Sequence, residues 1–244
     1  MTRLIRTVRR LALPLDTAER HALVARLAGE PDSILDVGGT PGTLGLFLPR
    51  ASITTANVEP PADILLDGAA GLPVAGDAFD VVTSIDVLEH LPRESRADHI
   101  RELVRVARRR VVVCCPLGTP QHSASEHALH AWLERETGAG HRFLAEHLKL
   151  GLPTESELRA LGDAARGSWQ LSCNGDFRRT EALFRSSILA RSNPVSALHY
   201  VVRRLATRPQ LTLSPSAAAF ANRAFLVGDL NGPSRADATR TPGP

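Results

Sequence analysis

The residues best suited to binding a charged ligand lie in one short turn near the start of the chain. The segment Asp36-Val37-Gly38-Gly39-Thr40-Pro41-Gly42 follows a short apolar run and precedes a stretch with helical character. Glycines in such a turn let the backbone approach a ligand closely, and free N–H groups at a helix start favour a carboxylate or a phosphate. We therefore expect this turn to bind a ligand through Asp36, Gly38, Gly39, Thr40 and Gly42.

A second candidate ligand residue is Glu59, which ends the next predicted strand, 23 residues after Asp36. A carboxylate at that spacing suits the binding of a ribose diol. The glycines at 38, 39, 42 and 45 do not form the dinucleotide fingerprint GxGxxG. This difference disfavours a nicotinamide-dependent reductase, which would need a tighter glycine pattern.

Alternating strands and helices must position these residues. Apolar runs predict strands at 33–37, 53–58, 64–66, 80–84, 111–115, 168–173 and 224–229. Helices are predicted after Asp16 (with Glu19 in capping-box spacing), at 43–48, at 94–107, after Thr154 (with Glu157 in the same spacing) and at 194–206. This alternation predicts an α/β fold with a mainly parallel sheet and an appendage before its last strand.

Composition limits the function classes. The chain has 244 residues, of which 43% are hydrophobic and 23% charged, as in ordinary globular proteins. No apolar run is long enough for a membrane span. The three cysteines include no CxxC pair, which indicates a reducing, cytoplasmic compartment.

Positive charge is concentrated in two segments. Residues 1–10 hold four arginines and no acid, and residues 176–210 hold seven arginines against Asp176 and Glu181. The low aromatic content, 4%, and the local nature of the basic segments disfavour nucleic acid as a partner. The basic amphipathic N-terminus permits peripheral membrane contact, and the alternative is a solvated helix packed on the domain.

Four segments in order resemble the class I S-adenosylmethionine-dependent methyltransferases, particularly those with an LEH signature. They are ILDVGGTPG, NVEP, ILLDGAAGLPVAGDAF and DVVTSIDVLEHLP, within residues 16–118. Thr40 stands where the family's glycine pattern has its middle glycine. The resemblance implies a Rossmann-like sheet, mostly parallel with an antiparallel last strand, helices on both faces and helical insertions, with S-adenosylmethionine as cofactor.

The resemblance also implies roles for residues that match the family's motifs. The turn from Gly38 to Gly42 would line the methionine part of the cofactor, with Asp36 orienting the turn, and Glu59 would accept hydrogen bonds from the ribose. The remaining cofactor residues implied are Asp67, Gly68 and Ala69 for adenine, and Ile85, Asp86 and Val87 beside the sulfonium. A turn-forming role is the alternative for Asp67, and a solvated strand-end acid is the alternative for Glu59.

Methyl transfer to a hydroxyl or an ammonium also needs a base that removes a proton, and histidine suits this role near neutral pH. We hypothesise that His90 or His147 is the base, with Glu89 or Glu146 as its orienting acid. The alternative is that His90 only caps a turn and that His147 only packs.

A metal site is not predicted, because His122, His127 and His130 lack the i, i+4 pairing of HExxH and have no cysteine partner. Some LEH-type relatives use a divalent ion near the acceptor, and Glu89, His90 and Glu146 are the residues here that would take part.

The methyl acceptor is expected to be a small molecule or a glycan. CPLGTP, SEHALH and HRFLAEHLKLGLPTESELRALG are similar to methyltransferase domains found beside glycosyltransferases, which suggests a hydroxyl of a sugar or of a lipid-linked glycan. The alternative is a non-catalytic methyltransferase-fold subunit or a membrane-surface binding module. The sequence leaves the oligomeric state open.

The expected organisation is a basic leader at 1–15, a methyltransferase domain at 16–230 and a disordered tail at 231–244. Within the domain, we expect an acceptor-side insertion at 116–153 and a basic helical insertion at 176–218.

Overall fold

A seven-stranded sheet forms the centre of the molecule. The computed structural model describes residues 3–68 and 71–231, so Ala69 and nearly all of the predicted tail lie outside the described residues. The strands are β1 (Ser33–Val37), β2 (Ser52–Asn57), β3 (Ile64–Leu65), β4 (Phe79–Ile85), β5 (Ala107–Pro116), β6 (Ser168–Asn174) and β7 (Arg223–Asp229). Their order is β3-β2-β1-β4-β5-β7-β6. The first five strands run parallel, and β7 is antiparallel to both β5 and β6, which confirms the predicted sheet.

Eight helices surround the sheet in the described part of the chain. They are α1 (Arg3–Ala12), α2 (Leu15–Ala28), α3 (Arg93–Val106), α4 (Pro120–Thr137), α5 (Arg142–Leu150), α6 (Glu155–Ala164), α7 (Phe177–Leu189) and α8 (Pro194–Ala206). No helix in residues 3–68 and 71–231 is long and apolar enough to cross a bilayer.

The core has two parts because side chains alternate between the faces of each strand. On β5, Val112 and Cys114 pack with α2 on one face, whereas Val113 and Cys115 pack with α3 and α6 on the other. The neighbouring cysteines therefore belong to separate layers. Helices α4, α5, α7 and α8 pack on one another, and α5 also contacts the turn that follows β4.

The predicted helix at 43–48 is wrong. Only one 3-10 turn forms, Leu44–Leu46, and both of its leucines are buried. The guanidinium of Arg10 donates to the carbonyl oxygen of Leu46, with 2.9 Å from Nε to O. That carbonyl is thus bonded to a side chain instead of to the N–H group of a further helical turn.

The capping box predicted from Asp16 and Glu19 is also wrong. Helix α2 is preceded by Pro14, and no side chain caps it. Asp16 instead contacts Arg223, while Glu19 contacts Arg179 at 2.5 Å. The second capping position is confirmed, since Thr154 Oγ1 accepts from the N–H of Glu157 at 3.2 Å.

Candidate functional site

The glycine turn after β1 is shaped by contacts that leave no room for side chains. Gly38 has a φ of 80°, and a Cβ there would collide with Val87. A Cβ on Gly39 would collide with the carboxylate of Asp36. The backbone N–H of Gly38 donates to the carbonyl of Ala56 at 2.7 Å, which fixes the turn to β2. Glycine is therefore required at positions 38 and 39 by the local packing.

Asn57, a residue that the sequence analysis missed, holds this turn from the end of β2. Its side-chain Nδ2 donates to the carbonyls of Gly38 at 3.1 Å and Gly39 at 3.3 Å, and its Oδ1 accepts from the N–H of Val58 at 2.8 Å. Asn57 is the first residue of the NVEP motif, but the motif alone gave it no role, because the partner carbonyls lie 18 and 19 residues away. The side chain thus couples the glycine turn to the strand end that carries Glu59.

Asp36 is a buried acid beneath the turn. Its Oδ1 accepts a hydrogen bond from Thr83 Oγ1 at 2.7 Å, and its Oδ2 has no hydrogen-bond partner in residues 3–68 and 71–231. Burial raises the pKa of Asp36 to about 6, and the hydrogen bond from Thr83 opposes this shift. A buried acceptor atom without a partner, next to a glycine turn, suits a ligand that brings a donor or a positive charge.

A cavity of about 540 Å³ lies over this turn, and we call it the turn cavity. Eleven predicted site residues line it: Gly38, Gly39, Thr40, Glu59, Ile85, Asp86, Val87, Glu89, His90, Glu146 and His147. Leu66 also lines it, and the predicted adenine residues Asp67 and Gly68 follow Leu66 in the chain. Gly42 has a φ of 86° and closes the turn. The structure therefore brings part of the turn, the strand ends and two histidines to one cavity, whereas Asp36, Gly42, Asp67 and Gly68 are not among its lining residues.

Glu59 lies at the rim of the turn cavity in contact with Arg142 of α5. Arg142 Nη1 is 2.6 Å from Glu59 Oε1, and its Nε is 3.2 Å from Glu146 Oε1. Both Glu59 and Arg142 are exposed, so water screens this ion pair strongly. A ribose diol can therefore compete for the carboxylate at small cost.

Glu89 lies in the single turn after β4 and is almost completely buried, with 1% of its surface exposed. Neither carboxylate oxygen has a hydrogen-bond partner in the part of the chain that the structure describes. Burial, followed by the negative charge of Asp86, raises the pKa of Glu89 well above its ordinary value. The protonated acid can thus donate a hydrogen bond into the turn cavity.

His90 adjoins Glu89 and lies between two partners. Its Nδ1 is 2.8 Å from Glu146 Oε2, and its ring centroid is 4.8 Å from that of His147. Burial and then the neighbouring His147 lower the pKa of His90, while Glu146 opposes the shift. Since a carboxylate only accepts, the Glu146 contact assigns the proton of neutral His90 to Nδ1.

His147 is paired with Glu126 of α4, which the sequence analysis missed. His147 Nδ1 is 2.9 Å from Glu126 Oε1, and both side chains are largely buried. The Nε2 atom of His147 is buried and has no hydrogen-bond partner among the described residues. Local spacing gave no signal for this contact, because the two residues lie 21 positions apart on different helices.

Within residues 3–68 and 71–231, Glu89, His90 and His147 also form a group of side chains that could hold a metal ion. One ligand atom of each lies within 4.8 Å of the others. This set excludes His122, His127 and His130, and it shares Glu89 and His90 with the residues named above for a divalent ion, with His147 in place of Glu146. The same closeness suits proton transfer between acid and base side chains.

A cluster of four charged residues ties α2 to the sheet, and we call it the ion-pair cluster: Asp16, Arg20, Asp86 and Arg223. Arg223 donates to Asp16 at 2.8 Å and to Asp86, and Arg20 Nε lies 3.2 Å from Asp86. Burial opposes ionisation of Asp16, but the charges of Arg223 and Arg20 outweigh it and lower its pKa. Asp86, predicted beside the cofactor, thus also has a structural partner on β7.

A second cavity, of about 680 Å³, lies among α4, α5, α7 and α8, and we call it the helix cavity. Its apolar and aromatic lining includes Leu129, Phe143, Leu144, Phe177, Leu183 and Phe184. Arg20, Asp86, Phe143, His147 and Arg223 line both cavities, so the two adjoin. His147 therefore stands at their boundary.

Comparisons with known proteins identify the fold. Residues 47–115 match the family model of a methyltransferase domain. A SAM-dependent methyltransferase of Thermotoga maritima, described as a possible histamine N-methyltransferase, is 11% identical with a TM-score of 0.50, covering 94% of this chain and 97% of that chain. Geranyl diphosphate methyltransferase in complex with SAM is 10% identical with a TM-score of 0.51, covering 86% of this chain and 84% of that chain. No curated protein matches this sequence significantly.

Proposed function

We propose that this chain, which carries a methyltransferase domain with the fold of the class I S-adenosylmethionine-dependent enzymes, methylates a hydroxyl group of a small molecule or a glycan. The observation that carries the proposal is the junction of the two cavities at His147. The turn cavity has the residues for the cofactor, and the helix cavity offers space for an acceptor.

The turn cavity fits S-adenosylmethionine by the chemistry of its residues. The glycine turn leaves space where side chains would collide, the unpartnered Oδ2 of Asp36 suits the ammonium of the methionine part, and Glu59 suits the ribose hydroxyls. Asp67, Gly68 and Ala69 remain proposed adenine residues, and Ile85, Asp86 and Val87 remain proposed neighbours of the sulfonium. When bound, the cofactor would supply a methyl group activated on a sulfonium, which passes to the acceptor oxygen as S-adenosylhomocysteine leaves.

The acceptor is proposed to enter the helix cavity. A volume of about 680 Å³ is typical of sites for drug-sized molecules. Aromatic and aliphatic side chains from three helices favour an acceptor with an apolar body, and the ion-pair cluster at one end can bind polar groups. Alignment of two reactants in a site that excludes water is the main contribution a protein makes to such a transfer.

His147 is the proposed proton acceptor. The contact with Glu126 keeps the proton of the neutral ring on Nδ1, so the lone pair on Nε2 can remove the proton of an acceptor hydroxyl. Glu126 then stabilises the positive imidazolium. His90 with Glu146, and the protonated Glu89, are proposed to orient the acceptor oxygen from the neighbouring turn.

A non-catalytic subunit is the second candidate, and the Glu59–Arg142 ion pair is the observation that favours it. In that case the carboxylate would have a structural partner instead of a ribose. A cytoplasmic location remains part of the proposal, since all three cysteines are buried and unpaired.

Transfer of a tritium-labelled methyl group to a panel of phenols, polyols and glycans tests the proposed function. We expect label in an extractable product with the wild type, and loss of that label in His147→Ala. His127→Ala, which changes a more exposed histidine of α4, is the matched control. Saturable binding of S-adenosylhomocysteine without transfer to any acceptor would favour the non-catalytic subunit.

A further inference from the structure

Two helices expose apolar side chains on faces that no other described part of the chain covers. On α1, Leu4, Val8 and Leu11 are 73%, 57% and 62% exposed. On α8, Val195, Leu198 and Leu205 are 78%, 65% and 71% exposed. The α1 residues are spaced by four and three positions and the α8 residues by three and seven, so each set forms one face of its helix. Isolated apolar residues on a surface need no explanation, but two complete helix faces do.

The inner faces of both helices are anchored to the domain. Arg10 of α1 donates to Leu46 and lies over the ring of Phe47, with 4.8 Å from its guanidinium carbon to the ring centroid. Tyr200 and Arg204 of α8 line the helix cavity. The apolar outer faces are therefore presented by helices whose position is fixed, and their residues are not needed for the cavity lining.

The two helices adjoin each other. Arg204 Nη2 of α8 donates to the carbonyl oxygen of Leu13, directly after α1, at 3.1 Å. The distance in sequence between these residues is 191 positions, so this is a tertiary contact. This hydrogen bond joins the C-terminal half of α8 to the end of α1, so the two helices meet at this point of the surface.

The charge on this surface has one sign. Helix α1 contains Arg6, Arg9 and Arg10, and residues 191–208 contain four more arginines, with no aspartate or glutamate in either segment. The carbonyl oxygens that Arg10 and Arg204 contact are neutral, so these hydrogen bonds do not neutralise the two guanidinium charges. A second copy docked through the same surface would bring like charges together. The complementary occupant is apolar and anionic.

We infer that the outer faces of α1 and α8 together dock on an anionic lipid bilayer. The apolar residues enter the boundary between headgroups and acyl chains, and the arginines contact lipid phosphates. The helices are 10 and 13 residues long and lie in the plane of the interface without crossing it.

Co-sedimentation of the full chain with lipid vesicles tests this inference. We expect binding to phosphatidylcholine vesicles that contain phosphatidylglycerol, little binding to pure phosphatidylcholine, and weaker binding as salt is raised. The double variants Leu4→Glu/Val8→Glu and Leu198→Glu/Leu205→Glu should each weaken binding by roughly tenfold or more. Leu65→Glu, an equally exposed leucine on the edge strand β3, is the matched control and should bind as the wild type.

Three results would overturn the inference. The first is no binding to anionic vesicles, and the second is binding that both double variants retain. The third is a stable dimer of the wild type that Leu198→Glu/Leu205→Glu dissociates, since that would identify the surface as an interface between copies. Circular dichroism of each variant shows whether it is folded.

Discussion

Glu126 Oε1 and His147 Nδ1 lie 2.9 Å apart where α4 packs against α5. Local sequence does not predict this pairing. This contact keeps the proton of the neutral ring on Nδ1 and leaves Nε2 buried without a partner in the described residues. The proposed chemistry depends on this arrangement.

Replacement of Glu126 by Gln should lower the rate of methyl transfer by about 10- to 100-fold, because the neutral amide stabilises the imidazolium less than a carboxylate does. Binding of S-adenosylhomocysteine should not change. Initial rates of label transfer measure the effect, and ¹⁵N shifts of the His147 ring report its tautomer. Glu134→Gln, on the exposed side of the same helix, is the control, and an equal loss in both variants would contradict the role given to Glu126.

Replacement of Asn57 by Ala should reduce both stability and cofactor affinity. Two hydrogen bonds to the glycine turn are lost, which costs about 1–2 kcal/mol of the free energy of unfolding. If holding the turn in its binding conformation then costs about 1.4 kcal/mol of binding free energy, S-adenosylhomocysteine binds about tenfold more weakly.

Asn174 provides a matched control for Asn57, since its Nδ2 also donates to two carbonyls, those of Gln210 and Thr212, and it does not line either cavity. Asn174→Ala should lose similar stability in urea unfolding and retain full affinity in calorimetry. Equal affinities for the two variants would show that Asn57 has no special role at the turn.

Much of the fold followed from local patterns. Continuous apolar runs and the alternation of strands and helices predicted all seven strands, including the β-branched β5, because burial on both faces leaves a mark in the sequence itself. The helix at 194–206 was also predicted, since Pro194 is favoured at the first position of a helix, and the structure adds Asn193 as its cap.

The errors and omissions arose from contacts that local spacing does not encode. Asp16 and Glu19 have the spacing of a helix cap, yet arginines 160 or more positions away bind them. Glu126 lies 21 positions from His147, so its role depends on how α4 packs on α5. Sequence motifs identified the glycine turn, Glu59 and the LEH turn because these residues directly follow strands. The carboxylates that contact the two histidines, Glu126 and Glu146, lie in the insertion at 116–153, and the motifs do not define how that insertion packs.

Replacement of Asp36 by Asn should change the dependence of stability on pH. Burial raises the pKa of Asp36 from 3.8 to about 6, so its contribution to stability is present below about pH 4 and is lost as pH rises through about 6. A shift of about two units corresponds to about 3 kcal/mol. Asn keeps an acceptor for Thr83 and does not ionise.

Urea unfolding of wild type and Asp36→Asn at about pH 4 and about pH 7 measures this effect, with the variant gaining about 3 kcal/mol relative to wild type at the higher pH. Parallel pH dependences of the two proteins would contradict the burial of an ionisable Asp36. The variant should also bind S-adenosylhomocysteine more weakly, since the charge that suits an ammonium is absent.

Replacement of Arg223 by Ala should be among the most destabilising changes at the site. It leaves the carboxylates of Asp16 and Asp86 with Arg20 as their remaining partner in the ion-pair cluster, a change that typically costs about 3–5 kcal/mol. Arg101→Ala, which breaks an exposed pair with Asp98, should cost less than about 1 kcal/mol in the same urea titration. Similar costs for the two variants would show that the cluster does not hold α2 to the sheet.

Isothermal titration calorimetry with S-adenosylhomocysteine tests the central claim most directly, with the wild type, Glu59→Ala and the exposed control Glu94→Ala. The account predicts saturable binding to the wild type and to Glu94→Ala, and affinity weakened by about tenfold or more in Glu59→Ala because charged hydrogen bonds to the ribose are lost. Absence of saturable binding to the wild type, or equal affinity of Glu59→Ala, would contradict it.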